Sequence, residues 1–321
     1  MSSSHTSLLA LANRHGGALS LHACRHAGFS ASELASAVEQ GSLIRVRRGW
    51  FATEDAPSDV IRAVRVGGAL TAASSARLSG VWLLEDELLH VRVLPNASRL
   101  RSPDDPSVLL EREEHRVCLH YRSAGPTPTD AWAQEAARDG LAGSIAEMFR
   151  CAGTVPAMVA LESALNRDLL SMQLIELIRG LTPAWAHRPL ELVSPDSDSG
   201  LETIARLLLH RHRVRVQTQV WMAGVRRVDL LIGDRLILKL DGRSFHSGGD
   251  FERDRAQDLE LALRGYLVVR LSYRMVTADW DRTHRAVVEL VRRGLHRWGR
   301  PAREGASLRL ANSGDWAMSA L

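Results

Sequence analysis

The chain has 321 residues, 45% hydrophobic, 24% charged and only 5% aromatic, with a formal net charge of +4. That balance is of a globular protein and excludes a disordered chain. No apolar run approaches the ~20 residues that span a bilayer, so no membrane partner is expected. The start, MSSSHTSLLALANRHGG, lacks a basic n-region and a long apolar h-region, which predicts a cytoplasmic protein. A length of this kind folds as two or three domains.

The positive charge is unevenly spread. Residues 101–200 hold 9 basic and 15 acidic side chains, whereas residues 201–300 hold 20 basic and 12 acidic, a local surplus of +8. Such a surplus attracts a polyanion, usually nucleic acid; an ordinary solvated surface is the alternative. Cys24, Cys118 and Cys151 are far apart and form no CxxC pair. Their spacing points to neither a zinc site nor a disulfide framework, and reduced, partly buried thiols are expected.

In chain order, residues 1–54 read as three helices, LLALANRHG, LSLHACRHAG and SASELASAVEQG, followed by the alternating hairpin LIRVRRGWFAT. Ser30 and Glu33 make a capping box that opens the third helix, and Gly41 ends it. This is the outline of an α+β winged helix-turn-helix. In that fold the third helix enters the major groove with Gln40 as its base-reading side chain, and Arg45, Arg47 and Arg48 sit on the wing near phosphates. The third helix carries Glu33 and Glu39 but no Arg or Lys, so a module for protein contacts is the alternative reading.

Residues 55–193 predict an α+β connecting domain. VIRAVRVGGALTAASSARLSGVWLL reads as two helices broken at Gly67-Gly68, LLHVRVLP and HRVCLHYRS as strands, and 140–181 as helical. SPDSDSG, residues 194–200, reads as a linker. From 200 to 298 the order is a helix, three strands (VRVQTQV, RRVDLLI, RLILKLD), a helix, the strand YLVVRLS and a last helix. Residues 299–321 have no periodicity and predict a disordered tail.

The stretch RVDLLIGDRLILKLDGRSFH places two carboxylates and the chain's only lysine in β-strands. A two-residue turn at Gly233-Asp234 would mix charged and apolar side chains on both faces. A three-residue turn, Gly233-Asp234-Arg235, sets Val228, Leu230 and Ile232 opposite Leu240, Leu238 and Leu236. Asp229 then opposes Lys239 and Arg227 opposes Asp241 on the other face. The cluster reads either as two cross-strand ion pairs, each contributing roughly 0.2–1 kcal/mol, or as a metal site. In the second reading Asp229, Asp241 and Glu202, from the helix LETIARLLL, hold Mg²⁺, and His246 handles a proton.

The segment SGLETIARLLL, VDLLIGDRLILKLDGRSFH and FERDRAQDLELALRGYLVVRLSY resembles the very-short-patch-repair endonuclease branch of the PD-(D/E)XK superfamily. The resemblance covers about a third of the chain. It implies an α/β restriction-endonuclease-like domain with a mixed central sheet flanked by helices, Mg²⁺ as cofactor and DNA as substrate. Glu202, Asp229, Asp241 and His246 match the family's site positions, and Arg243 joins the DNA-contacting arginines. Lys239 stands where relatives carry glutamate, which removes a metal ligand and adds repulsion toward a cation, although a lysine of tunable pKa is also a candidate catalytic residue that helps to activate water. More loosely, GG-x-LS, LIRVRRGWFAT and SARLSGVW resemble the AbiEi-type antitoxin winged helix, which implies a cognate toxin protein as partner. Two expectations follow: a metal-dependent DNA endonuclease, or a DNA-binding regulator whose nuclease-like domain has lost its chemistry.

Overall fold

The computed structural model of the chain describes residues 3–121, 136–210, 212, 214–222, 227–242 and 248–299. Its packing divides into two compact units, one up to Leu208 and one from Leu209 onward, each mixing helices with sheet. Among the described residues no helix is long and apolar enough to cross a membrane.

The first unit opens with α1 (Ser3–Arg14), β1 (Ala18–Ser20), α2 (Leu21–His26), α3 (Ala31–Glu39), β2 (Ile44–Arg47) and β3 (Trp50–Ala52). The strands form one sheet in the order β1-β3-β2. The expected helix over LSLHACRHAG is thus shorter than its pattern suggested. Ala18–Ser20 pair antiparallel with Trp50–Ala52, and Ser20 Oγ caps α2 by accepting from the Ala23 N–H at 2.9 Å. A short apolar run does not distinguish strand from helix by itself; the partner strand decides. The capping box of α3 forms as expected. Ser30 Oγ accepts from the Glu33 N–H at 3.2 Å, and Glu33 Oε2 accepts from the Ser30 N–H at 2.8 Å.

Next come α4 (Ser58–Val66), β4 (Ala69–Leu70), α5 (Ala72–Leu78), β5 (Leu89–Val93) and β6 (Val117–Tyr121). The Gly67-Gly68 break therefore leads into a strand before the second helix begins. Gly68 is there for closeness: a Cβ would stand 2.0 Å from the Arg92 carbonyl oxygen. Strand β4 pairs antiparallel with β5, and β5 pairs parallel with β6 in a register that sets His90 beside Cys118 and Arg92 beside His120. Helices α6 (Leu141–Cys151), α7 (Thr154–Asn166), α8 (Leu174–Leu181), α9 (His187–Leu190) and α10 (Gly200–His210) follow.

Strand β5 is buried throughout and β6 in part, and their side chains alternate. Leu89, Val91, Val93 and Val117 join an apolar cluster with Val46, Ala52, Val60 and Val64, so the N-terminal hairpin shares a core with the next segment. Packing is continuous across the boundary expected at residue 54. The opposite parity, buried His90, Arg92 and His120 with half-buried Cys118, is a polar layer. Within it the Arg92 guanidinium, 5% exposed, holds the fully buried Asp139 carboxylate at 2.8–3.0 Å. A second apolar cluster, centred on Phe149, Met158, Leu161 and Ile178, packs α5 to α8 together.

The second unit contains β7 (Val216–Trp221), β8 (Arg227–Ile232), β9 (Leu236–Asp241), α11 (Gly248–Leu263), β10 (Leu267–Ser272), α12 (Tyr273–Thr277) and α13 (Trp280–Arg292). Its sheet order is β10-β9-β8-β7, antiparallel from β7 to β9, with β10 returning parallel to β9 after the helix. The β8–β9 register is that of the three-residue turn: Ile232 faces Leu236 and Leu230 faces Leu238. Gly233 occupies the left-handed region at φ +65°, and a Cβ there would meet the His296 carbonyl oxygen at 2.3 Å. That carbonyl accepts from the N–H groups of Asp234 and Arg235, while Trp298 donates its backbone N–H to Asp234 Oδ1 at 3.0 Å and its Nε1–H to the Asp234 carbonyl at 2.7 Å. The segment after α13 thus closes the turn.

Removing the partner of a buried charge costs about 3–5 kcal/mol. Asp139→Ala should therefore lower the urea unfolding midpoint sharply. Glu87→Ala, which removes an exposed partner of Arg116, should leave that midpoint unchanged within error, because exposed pairs contribute little.

Candidate functional site

The charged side chains of the second unit gather on the sheet face that carries Leu231 and Ile237, the face against which Leu261 of α11 packs. Asp229 leaves the cross-strand ladder at that point, and its Oδ2 accepts from the Leu240 N–H at 2.7 Å. Burial pushes the Asp229 carboxyl above its ordinary range; the Leu240 amide and the Lys239 charge act against that rise.

The cross-strand partners expected of Lys239 and Asp241 are replaced by others. The Lys239 ammonium, only 7% exposed, lies 2.6 Å from Asp258 Oδ1 on α11. Asp241 faces β10, where Arg270 donates Nε–H to Asp241 Oδ2 at 3.0 Å and Nη2–H to Asp241 Oδ1. The same guanidinium donates to Asp258 Oδ2 at 2.9 Å and reaches Asp254 Oδ2 at 3.4 Å. The reason is register: β10 runs parallel to β9 with Arg270 beside Lys239, one pleat from Asp241. A planar fork can serve two carboxylates from there. Despite burial, which acts in the opposite sense, Lys239 and Arg270 hold Asp258 below the usual carboxylate range, and Asp241 raises Arg270 further.

Mg²⁺ takes oxygen ligands and tolerates few substitutes. Here both Asp241 oxygens are engaged by Arg270, one Asp229 oxygen by an amide, and an ammonium occupies position 239. The residues present do not fit a magnesium site. Glu202, the expected third ligand, is 3% exposed in the first unit and serves its own helix: Ser199 Oγ donates to Glu202 Oε1 at 3.0 Å and the Asp198 N–H to Oε2 at 3.3 Å. His246 and Arg243 lie outside the described residues.

Among the N-terminal candidates, Arg45 and Arg48 are exposed on the β2–β3 hairpin. Arg47 differs from the expectation of a phosphate-facing wing residue. Its Nη1 donates to the Val64 carbonyl of α4 at 3.2 Å and crowds Gly67, so the guanidinium serves a helix C-terminus. Gln40 ends α3 and donates to Ser36 Oγ at 2.9 Å.

A second constellation lies in the buried polar layer of the first unit, and the cysteine spacing had pointed away from it. One ring nitrogen each of His90 and His120 and the Cys118 sulfur all lie within 4.8 Å of one another, the one such convergence of three or more His, Cys, Asp or Glu side chains among the described residues. His90 Nδ1 is 3.0 Å from His120 Nε2, and Cys151 Sγ is 3.9 Å from His90 Nδ1. Although burial disfavours their charged forms, contacts with Asp86 and with the Cys118 and Cys151 sulfurs push His90 up to about 11, and Cys118 and Glu147 raise His120. The two histidines in turn draw the Cys118 thiol down to about 6.

If Arg270 and Lys239 are what keep a cation from Asp229 and Asp241, Arg270→Ala and Lys239→Glu should each tighten Mn²⁺ binding to the full chain by roughly tenfold or more, about 1.4 kcal/mol in calorimetry. Equal affinity in wild type and both variants would assign the exclusion to another cause. No protein-family model matches the chain, and no curated protein matches it.

Proposed function

We propose that the chain is a duplex DNA-binding protein whose second unit, built on an endonuclease-like plan, holds DNA without cutting it. The observation that carries this reading is the internal neutralisation of the acidic centre: Arg270 engages Asp241 and Asp258, and Lys239 pairs with Asp258. An acidic centre already matched by fixed cations has little left for a metal ion, and a centre without a metal ion lacks the means to activate water or offset charge on a phosphate.

The DNA side of the reading rests on charge and on the N-terminal elements. Helix, strand, two helices and a hairpin in that order are what a winged helix requires, and Arg45 and Arg48 are exposed on its hairpin. Helix α3 presents Ala31, Ser32, Ala35, Glu39 and Gln40 to solvent, a set with little capacity for base readout. Phosphate contact from arginines therefore dominates, and affinity is salt-controlled with weak sequence preference. The second unit has exposed arginines of its own, Arg282, Arg285, Arg292 and Arg293, on or next to α13. A regulator of the antitoxin type, with a cognate toxin as protein partner, is the setting in which binding without cleavage suffices.

The test is duplex binding by fluorescence anisotropy in EDTA across a salt series, alongside a supercoiled-plasmid assay with Mg²⁺ or Mn²⁺. Binding should need no divalent ion and weaken steeply with salt, and Arg45→Ala and Arg48→Ala should each reduce the log–log slope by about 1. Plasmid should stay intact as it does with Asp229→Ala. Nicking by wild type above that control would establish the endonuclease reading in place of this one.

A further inference from the structure

We infer that the buried His and Cys cluster of the first unit is a structural zinc site with His90, Cys118, His120 and Cys151 as its ligands. His90 Nε2 is 2.8 Å from Asp86 Oδ2 and His120 Nδ1 is 3.1 Å from Glu147 Oε1. An ionised carboxylate only accepts, so each of these nitrogens carries the proton. In its neutral form each ring then has its lone pair on the inner nitrogen, and the two inner nitrogens face each other at 3.0 Å. Two lone pairs do not bond to each other. They need a shared electron-pair acceptor.

A proton can serve that one pair of nitrogens. A metal ion serves them and the sulfurs as well. Tetrahedral zinc, with Zn–N near 2.0–2.1 Å and Zn–S near 2.3 Å, implies ligand separations of about 3.3 Å between nitrogens and about 3.6 Å between nitrogen and sulfur. The 3.0 Å between His90 Nδ1 and His120 Nε2 and the 3.9 Å between His90 Nδ1 and Cys151 Sγ lie close to both. The Cys118 sulfur lies within 4.8 Å of one ring nitrogen of each histidine, and Cys151, outside that convergence of three, would close in from the rim as the fourth ligand. Two imidazoles and two thiolates suit zinc, whereas magnesium and calcium prefer oxygen.

The scaffold around the cluster holds three of the four ligands in advance. Parallel pairing of β5 and β6 puts His90 beside Cys118, and His120 follows two residues on along the same face. Helix α6 supplies Glu147 and, one turn later, Cys151. Carboxylates on the far side of ligating histidines orient the ring and raise its basicity. His90 and His120 are buried, whereas Cys151 is exposed. The thiol at the rim thus gives an ion its way in and becomes the last ligand to close. Four protein ligands leave no open position, which makes the role structural: the ion would tie the sheet to the last turn of α6.

The test uses the full chain under reducing conditions, stripped with a chelator and then titrated with Zn²⁺ alone and with Co²⁺ alone. One ion per chain should bind and compete with a chromophoric chelator, and Zn²⁺ should raise the thermal midpoint. Co²⁺ should give the visible bands of tetrahedral coordination with thiolate-to-cobalt charge transfer in the near ultraviolet. Cys151→Ser, at an exposed position, should keep the fold and lose part of that charge transfer, and Cys118→Ser should lose the rest. Glu147→Gln should weaken Zn²⁺ binding by about 10–100-fold while leaving the charge transfer in place. Absence of stoichiometric Zn²⁺ binding, a cobalt complex without charge transfer, or binding untouched by both cysteine variants would overturn the assignment. None of these readouts depends on DNA, so they stand or fall separately from the proposed function.

Discussion

A polar group taken out of water must find its partner inside the fold, and both candidate sites in this chain are answers to that constraint. Each is the polar face of a sheet roofed by a helix. On β8, β9 and β10 the face carries carboxylates, and the cations that satisfy them come from the same sheet: Lys239 from β9 and Arg270 from β10. On β5 and β6 the face carries imidazoles and a thiol, and the neighbouring carboxylates Asp86 and Glu147 bind the outer nitrogens. The first arrangement is closed upon itself. The second turns its remaining lone pairs inward.

This contrast explains why an acidic constellation in strands is a poor guide to chemistry unless its neighbours are known. Asp229 and Asp241 sit on the expected face, yet what surrounds them differs from the expectation. An arginine in the adjacent parallel strand is worth two hydrogen bonds to one carboxylate and further contacts to others. An ammonium at position 239 and a guanidinium over Asp241 act in the same direction, each disfavouring a cation beside these carboxylates.

How much of this was legible in the sequence depends on the range of the interaction. The capping box at Ser30 and Glu33 is local and was readable from four residues. The β8–β9 register was readable because alternation and an odd-length turn leave only one arrangement with a clean apolar face. Arg270 was not singled out, since its role arises from a parallel crossover through α11 that brings β10 beside β9. The His and Cys cluster was missed for the same reason: its members come from two strands 30 residues apart and from the end of α6, so no fixed spacing announces it. The available signal was Cys118-Leu119-His120, a Cys and a His two apart in a strand, with His90 at the same parity of the preceding one. Arg47 shows the opposite failure, a wing arginine by pattern that the last turn of α4 recruits to its own carbonyl end.

The turn between β8 and β9 depends on residues synthesised much later. Two of its amides are satisfied by the carbonyl of His296, and Trp298 binds back to Asp234, some 60 positions earlier in the chain. A hairpin that borrows its hydrogen bonds from so far downstream is not complete when its own strands leave the ribosome; at 5–20 residues per second it waits several seconds for them. The first unit, whose contacts end earlier, can reach its native state during that interval, so assembly proceeds from the first unit to the second, whose turn closes only once residues 296–298 have emerged.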